Sequence, residues 1–296
     1  MNGQLVLYFL LSLMTLLWSA NFIIGKVALR EFPPLLLGAL RIALAGVFVA
    51  PVYWMSVRAA GRRWWPEGNL MLLAFLAASN VGNQLLFLIG LNRTSPAHSA
   101  WILSTCPIFV LLIAARMGLE RITFAKVIGM TLALGGVCYL AGQASARPGA
   151  PMAQATLTGD VVTALAGILF SFFAVYGKKA TEAYSSITVN GISYMGGGLL
   201  LAPIILWRAP AFPFAQITAA GWCSLVYMAA FPSVVCYLIY YHALTRVSAS
   251  RVTAFIYLEP VIATLLAVGF LGERITAPLI ASGTVIFGGV YLAERG

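Results

Sequence analysis

Two ionisable residues stand inside long apolar stretches, where a charge could act on a solute. Glu259 directly precedes Pro260, and Arg41 lies about two turns into its apolar segment. A charge near the bilayer centre costs about 2.5–3.5 kcal/mol, so such residues are functional candidates by default. Glu259 could exchange protons or bind an ammonium group, or it could be a structural acid that is kept protonated or paired with Arg41 or a histidine. Arg41 could bind a carboxylate, or its long side chain could reach the membrane interface.

Four further basic residues could carry charge or protons during function. His98 and His242 are candidates for charge or proton exchange; one histidine in each half gives no metal-ligand spacing. Lys26 and Lys178 end two apolar segments, where they could act as paired gates or as headgroup anchors that favour the helix dipole. Four cysteines without a CxxC motif indicate neither a disulfide framework nor a zinc site, so we expect no metal and no cofactor.

Hydrogen-bonding and aromatic side chains suggest a lining for a small molecule. Asn80, Asn83 and Gln84 share one helix face, which could line a cavity or join helices by hydrogen bonds. Ser233 belongs to the matching stripe of a later segment. The other lining candidates are Trp18, Asn21, Trp101, Ser104, Phe170, Ser171, Tyr237, Tyr241 and Tyr257. Such a mixture of rings and polar groups suits an amphipathic organic solute.

The composition indicates that a membrane must position these residues. Apolar residues make up 61% of the 296 residues and charged residues only 9%, which excludes an ordinary soluble enzyme. Although the formal net charge is +10, the Lys and Arg residues are scattered through short connections, so no nucleic-acid partner is indicated. The sequence has no GxxxxGK[ST] and no G-x-S-x-G motif, so we expect neither ATP hydrolysis nor another enzyme activity.

Uncharged stretches of about 18 residues or more predict transmembrane helices. Charges, prolines and glycines place ten helices near 5–28, 34–56, 70–91, 97–117, 122–142, 158–180, 186–207, 217–243, 250–271 and 276–293. The chain thus reads as residues 1–142, a linker at 143–157 and residues 158–296. We predict an all-α integral membrane protein with a bilayer and a small molecule as its partners and no obligate protein partner.

The two halves repeat one another. Gly25-Lys26 matches Gly177-Lys178 at a separation of 152, and Glu120-Arg121-Ile122-Thr123 matches Glu273-Arg274-Ile275-Thr276 at 153. These matches indicate an internal five-helix repeat. Because five is odd, the second copy enters the bilayer from the opposite side, which predicts two inverted repeats as in many secondary transporters.

Proline interrupts the matching fourth and ninth helices. Pro107 and Pro260 each remove a backbone hydrogen bond and free the carbonyls of Leu103 and Ile256. Polar backbone at membrane depth is tolerated where it is buried in protein or faces water, so these breaks could form a midplane site or only shape packing. Glu120 and Glu273 precede the next helices and are interpreted as structural.

The positive-inside rule sets the orientation. With the N-terminus inside, eleven Lys and Arg residues fall on the cytoplasmic side and six outside. We therefore expect both termini in the cytoplasm and the chain in the plasma membrane, which for a bacterium is the inner membrane.

The doubled motif resembles a known family. Pro107 to Thr123 and Pro260 to Thr276 each run from a mid-helix proline into Glu-Arg-Ile-Thr, and Trp18-Ser19-Ala20-Asn21 and Leu40-Arg41 lie near the start. These residues are similar to the EamA-type permeases of the drug/metabolite transporter superfamily. The resemblance implies secondary transport, often export, of small metabolites including amino acids. Protons are a candidate coupling ion because Glu259 could exchange them. The alternative is a membrane-embedded enzyme acting on a lipid or small metabolite.

Overall fold

All regular elements in the described residues are helices. The computed structural model describes residues 3–61, 68–94, 96–145, 156–271 and 277–296. The helices of the first half are α1 (Gly3–Ala28), α2 (Pro34–Ala59), α3 (Leu70–Arg93), α4 (Pro96–Leu103), α5 (Cys106–Arg116) and α6 (Phe124–Ser145). The second half contains α7 (Leu157–Ala183), α8 (Ser186–Arg208), α9 (Ala219–Met228), α10 (Cys236–Leu244), α11 (Ala249–Ala254), α12 (Glu259–Leu271) and α13 (Ala277–Arg295).

Seven helical segments of the described chain are long and apolar enough to cross a bilayer. They are Gly3–Ala28, Pro34–Ala59, Leu70–Arg93, Ser99–Arg116, Leu157–Ala183, Ser186–Ala211 and Ala219–Leu244, and Phe124–Leu140 is a shorter apolar helix. The chain is therefore a multi-pass membrane protein. The count of ten spans and the orientation of the termini stay predictions. Most of the predicted linker, residues 146–155, lies outside the described residues.

Three predicted helices are interrupted rather than continuous. The predicted helix 97–117 consists of α4 and α5, separated by a turn at Ser104 and Thr105 just before Pro107. The predicted helix 250–271 contains a 3-10 turn, Phe255–Leu258, between α11 and α12, just before Pro260. These breaks lie where proline denies the preceding turn its N–H donor.

The third interruption was not predicted. A π-helical turn, Ala229–Val235, separates α9 from α10 and contains Pro232. Proline cannot donate to the carbonyl of Met228, four residues earlier, and the hydroxyl of Ser233 donates to that carbonyl instead at 2.9 Å. The backbone polar group that proline leaves without a partner is thereby satisfied within the buried interior.

The two halves make reciprocal close contacts. Helix α2 packs on α8, and a Cβ added to Gly46 would lie 3.3 Å from the Cα of Met195, while one added to Gly198 would lie 3.1 Å from the Cα of Ala43. Each contact is the image of the other at the repeat separation of 152. A two-fold relation between the halves produces such reciprocity, so these contacts support the inverted repeat, which remains a prediction.

The two matched lysines make equivalent contacts within their own halves. Lys26 Nζ donates to the carbonyls of Leu91 and Thr94, both at 2.8 Å, at the C-terminal end of α3. Lys178 Nζ donates to the carbonyl of Leu244, the last residue of α10, and to that of Val247 in the connection beyond it. A cation at a helix C-terminus satisfies terminal carbonyls and favours the dipole. Each lysine thus caps a different helix from the one that carries it.

Replacing Lys178 with methionine is expected to reduce thermal stability. The substitution keeps most of the side-chain volume but leaves the carbonyl of Leu244, the last residue of α10, and the carbonyl of Val247 without their donor, a loss of about 1–2 kcal/mol. Melting of the purified protein measures the effect. Lys179→Met, at the exposed neighbouring position, is the matched control and should melt like wild type. Equal melting of both variants would contradict the capping role.

Candidate functional site

A cavity of about 80 Å³ lies between residues of both halves. It is lined by Trp18, Asn21, Phe22, Arg41, Asn83, Gln84, Phe87, Leu103, Cys106, Phe170, Tyr237, Ile256 and Glu259. Leu103 and Ile256 are the residues whose backbone carbonyls Pro107 and Pro260 were expected to free. The lining therefore combines apolar and aromatic walls with three amide side chains, one acidic residue and one basic residue.

Arg41 is the basic residue of this lining and is only 3% exposed. Its Nε donates to Ser233 Oγ at 2.9 Å, whereas Nη1 has no hydrogen-bond partner among the described residues. Within the described part of the chain, no carboxylate forms an ion pair with Arg41. Burying an unpaired charge is costly, so the surroundings of Arg41 leave an anion-binding capacity unused.

Glu259 is the acidic residue of the lining and is 4% exposed. Its side chain makes no hydrogen bond or ion pair with another described residue. The hypothesis that Glu259 pairs with Arg41 is therefore wrong for this structure. The other proposed partner, His98, has a side chain that lies outside the described residues, and His242 lies in the last turn of α10, outside the lining.

Three aromatic side chains form one wall of the cavity. The ring of Trp18 meets those of Phe170 and Tyr237 edge-on, with centroids 6.0 Å and 5.6 Å apart. Trp18 Nε1 also donates to the carbonyl of Pro232 at 3.1 Å. This bond fixes the indole against the π-helical turn, so the wall is held by both halves of the chain.

The amide face of α3 is largely occupied by hydrogen bonds between helices. Gln84 Nε2 donates to Asn80 Oδ1 at 2.9 Å and to Tyr194 OH at 2.7 Å, and Ser233 Oγ lies 3.2 Å from Gln84 Oε1. Asn83 Nδ2 donates to Tyr237 OH at 3.3 Å. Gln84 and Asn83 still border the cavity, but Asn80 does not. The amides therefore hold the helices together around the cavity.

Other predicted lining residues lie outside the cavity. Ser104 and Ser171 donate to carbonyls of their own segments, Ala100 at 2.8 Å and Gly167 at 2.8 Å. Trp101 Nε1 lies 3.4 Å from Cys138 Sγ. Tyr241 and Tyr257 are fully buried, and their hydroxyls find no hydrogen-bond partner in the described part of the chain. Lys26, Lys178, Pro107 and Pro260 are likewise absent from the lining.

Sequence reasoning missed three side chains of the lining. Phe22 lies one turn from Trp18 on α1, and Phe87 lies one turn from Asn83 on α3, so helical spacing could have identified both. Their rings contact edge-on at 5.5 Å. Cys106 is the repeat counterpart of Glu259, and that symmetry was the available signal.

Comparison with known proteins identifies the class. The sequence model of the EamA-like transporter family matches residues 5–142 and 157–294. The chain belongs to this family, as its doubled motif indicated, and is therefore a membrane transporter.

Curated relatives cover nearly the whole chain. An uncharacterized transporter of Archaeoglobus fulgidus is 27% identical, covering 96% of each chain. The uncharacterized inner membrane transporter YedA of Escherichia coli is 23% identical over 92% of this chain and 85% of its own. A probable terminal-alkyne amino-acid exporter of Streptantibioticus cattleyicolor is 25% identical over 94% of this chain and 90% of its own.

A solved crystal structure shares the fold. It superposes with a TM-score of 0.76 at 20% identity and covers 98% of this chain and 96% of that chain. At that identity the likeness shows the fold alone.

Proposed function

We propose that this protein is a secondary transporter that exports amino acids or related small amphipathic metabolites by alternating access. The observation that carries the proposal is the cavity, whose lining places one acid, one base and an aromatic wall between the two halves. Ligand sites are mostly apolar with a few convergent polar groups, and this lining has that character. The amino-acid exporter among the relatives supports the same solute class.

The cavity is too small for free passage of such a solute. Its volume of about 80 Å³ is below the roughly 300–1,000 Å³ of typical organic ligand sites, so the halves must separate to admit cargo. Alternating access at a repeat interface provides that opening on one side at a time. The chain would work in the plasma membrane, with both termini in the cytoplasm.

Two carboxylates join the halves at sites far apart in the sequence. Glu31 accepts hydrogen bonds from the backbone N–H and the hydroxyl of Thr218, both at 2.7 Å, at the start of α9. Glu120 accepts from the backbone N–H of Ser250 at 3.0 Å and from its hydroxyl, at the start of α11. Lys126 pairs with Glu120 at 3.1 Å. The predicted topology places Glu31 outside and Glu120 inside, so we name these contacts the outer and inner clamps.

A flux panel in proteoliposomes tests the proposed function. Labelled amino acids, amines, nucleosides and sugars are offered with and without a pH gradient, and protein-free liposomes are the control. We expect saturable movement of one or more amino acids, stimulated by the gradient. Movement of sugars or nucleosides alone would overturn the proposed solute class. Conversion of a solute without its movement would favour the membrane-enzyme alternative.

A further inference from the structure

The π-helical turn Ala229–Val235 does more than accommodate a proline. It brings Ser233 to the side chain of Arg41, whose Nε donates to Ser233 Oγ at 2.9 Å. This bond joins α2 of the first half to a turn of the second half. The bond holds Nε, while Nη1 has no hydrogen-bond partner among the residues that the structure describes.

We propose that Arg41, held by Ser233, is a carboxylate-binding site of the cavity and that Ser233 is its positioning residue. The inference rests on the proposed function, because it assigns the chemical class of group that the transported solute must carry. A guanidinium presents donors in a fixed fork that matches the two oxygens of a carboxylate. An incoming carboxylate would supply the counter-charge that the described residues do not give Arg41.

The hydrogen bonds around Ser233 explain why it can hold the guanidinium. Its oxygen accepts from Arg41 Nε, and its single proton can go to the carbonyl of Met228 at 2.9 Å or to Gln84 Oε1 at 3.2 Å. Gln84 is itself fixed by Tyr194, 2.7 Å from its Nε2. An amide and a backbone carbonyl on two different elements thus orient the hydroxyl that Arg41 contacts.

The site also explains an asymmetry between the repeats. The counterpart of Arg41 in the second half is Ser193, and the counterpart of Ser233 in the first half is Asn80. Arg41 and Ser233 are therefore absent from the shared scaffold. A pair that only stabilised the common fold would be expected in both halves, whereas a receptor for one solute group needs to occur once.

Binding to the purified protein in lipid nanodiscs tests the proposal with matched acid and amide probes. The probes are 3-phenylpropionate against 3-phenylpropionamide and L-phenylalanine against L-phenylalaninamide, measured by titration calorimetry. Each amide has nearly the shape of its acid but lacks the negative charge. We expect wild type to bind each acid at least about tenfold more tightly than its amide, because charged hydrogen bonds contribute about 1.5–3 kcal/mol.

Variants separate binding from positioning. Arg41→Met should remove the preference for acids, and Arg41→Lys, which keeps the charge without the fork, should retain only part of it. Ser233→Ala should reduce acid affinity about three- to tenfold and leave amide affinity unchanged, because Arg41 remains but is no longer held. Ser233→Thr, which keeps the hydroxyl, should restore the preference. Ser224→Ala, which removes a hydroxyl bonded within α9 at 2.7 Å, is the matched control.

The outcomes distinguish this inference from the proposed function. Equal binding of acids and amides by wild type, no binding of either acid, or an acid preference that survives in Arg41→Met would overturn the carboxylate site. A uniform loss for acids and amides in Ser233→Ala would assign Ser233 to packing alone and overturn its positioning role. Acid-selective binding without flux in proteoliposomes would support the carboxylate site and reject the transporter proposal. Flux without acid selectivity would support the transporter proposal and reject the carboxylate site.

Discussion

Replacing Glu259 with glutamine is expected to abolish the stimulation of transport by a pH gradient. Glu259 borders the cavity, is 4% exposed, and makes no hydrogen bond or ion pair with another described residue. A carboxyl in that position can gain and lose a proton as the cavity opens to each side, whereas an amide of the same shape cannot. The ratio of flux with and without the gradient should fall to about one in this variant, while uptake of the same solute down its own gradient continues.

The control for this measurement is Glu182→Gln, which removes an exposed acid near the end of α7. It should keep the gradient ratio of wild type. Melting temperatures of the three proteins show whether a lost response reflects lost folding. A folded Glu259→Gln protein that keeps its full response to the gradient would contradict the coupling role and indicate facilitated diffusion or another coupling group.

Release of either clamp is expected to open the cavity from one side only. Glu120 binds the first turn of α11, and Glu31 binds the start of α9, through one backbone N–H and one hydroxyl each. Hydrogen bonds to a charged acceptor contribute about 1.5–3 kcal/mol, so a glutamine at either position should increase the population of the corresponding open state about tenfold or more.

Cys106 provides a native reporter of that opening, because it lines the cavity and is 1% exposed. Cys138, Cys223 and Cys236 are replaced so that a membrane-impermeant thiol reagent can react with Cys106 alone. In oriented vesicles, Glu120→Gln should accelerate labelling from the cytoplasmic side, and Glu31→Gln should accelerate it from the outside. Both labelling rates are compared with that of the protein that keeps Glu31 and Glu120 and has Cys106 as its single cysteine.

Two results would contradict the clamp prediction. If the labelling rate of Cys106 were unchanged in both variants, the two carboxylates would be local helix caps that do not influence access to the cavity. Acceleration from the same side in both variants would contradict the opposite placement of the clamps and with it the predicted inverted topology. If Glu120→Gln accelerated labelling from the outside and Glu31→Gln from the cytoplasmic side, the two clamps would stand, but the predicted orientation of the termini would be reversed.

Much of the cavity could be found from local properties of the sequence. Arg41 and Glu259 were candidates because a charge is rare in an apolar stretch, and Trp18 and Phe170 because they match across the repeat. The repeat also indicated where Pro107 and Pro260 would interrupt matching helices. These signals depend only on residue type and spacing, and the hydrophobic environment of a membrane makes each polar residue conspicuous.

The partners of these residues were decided only by the tertiary structure. Glu120 was interpreted as structural because it precedes a helix. Its carboxylate accepts from the backbone N–H of Ser250, a residue 130 positions later. Gln84 bonds to Tyr194, and Ser233 reaches Arg41 because a π-helical turn rotates it there. Hydropathy and periodicity indicate how each segment lies in the bilayer. Which polar groups pair in the interior depends on how the segments pack, and this packing is set by contacts between residues far apart in the chain.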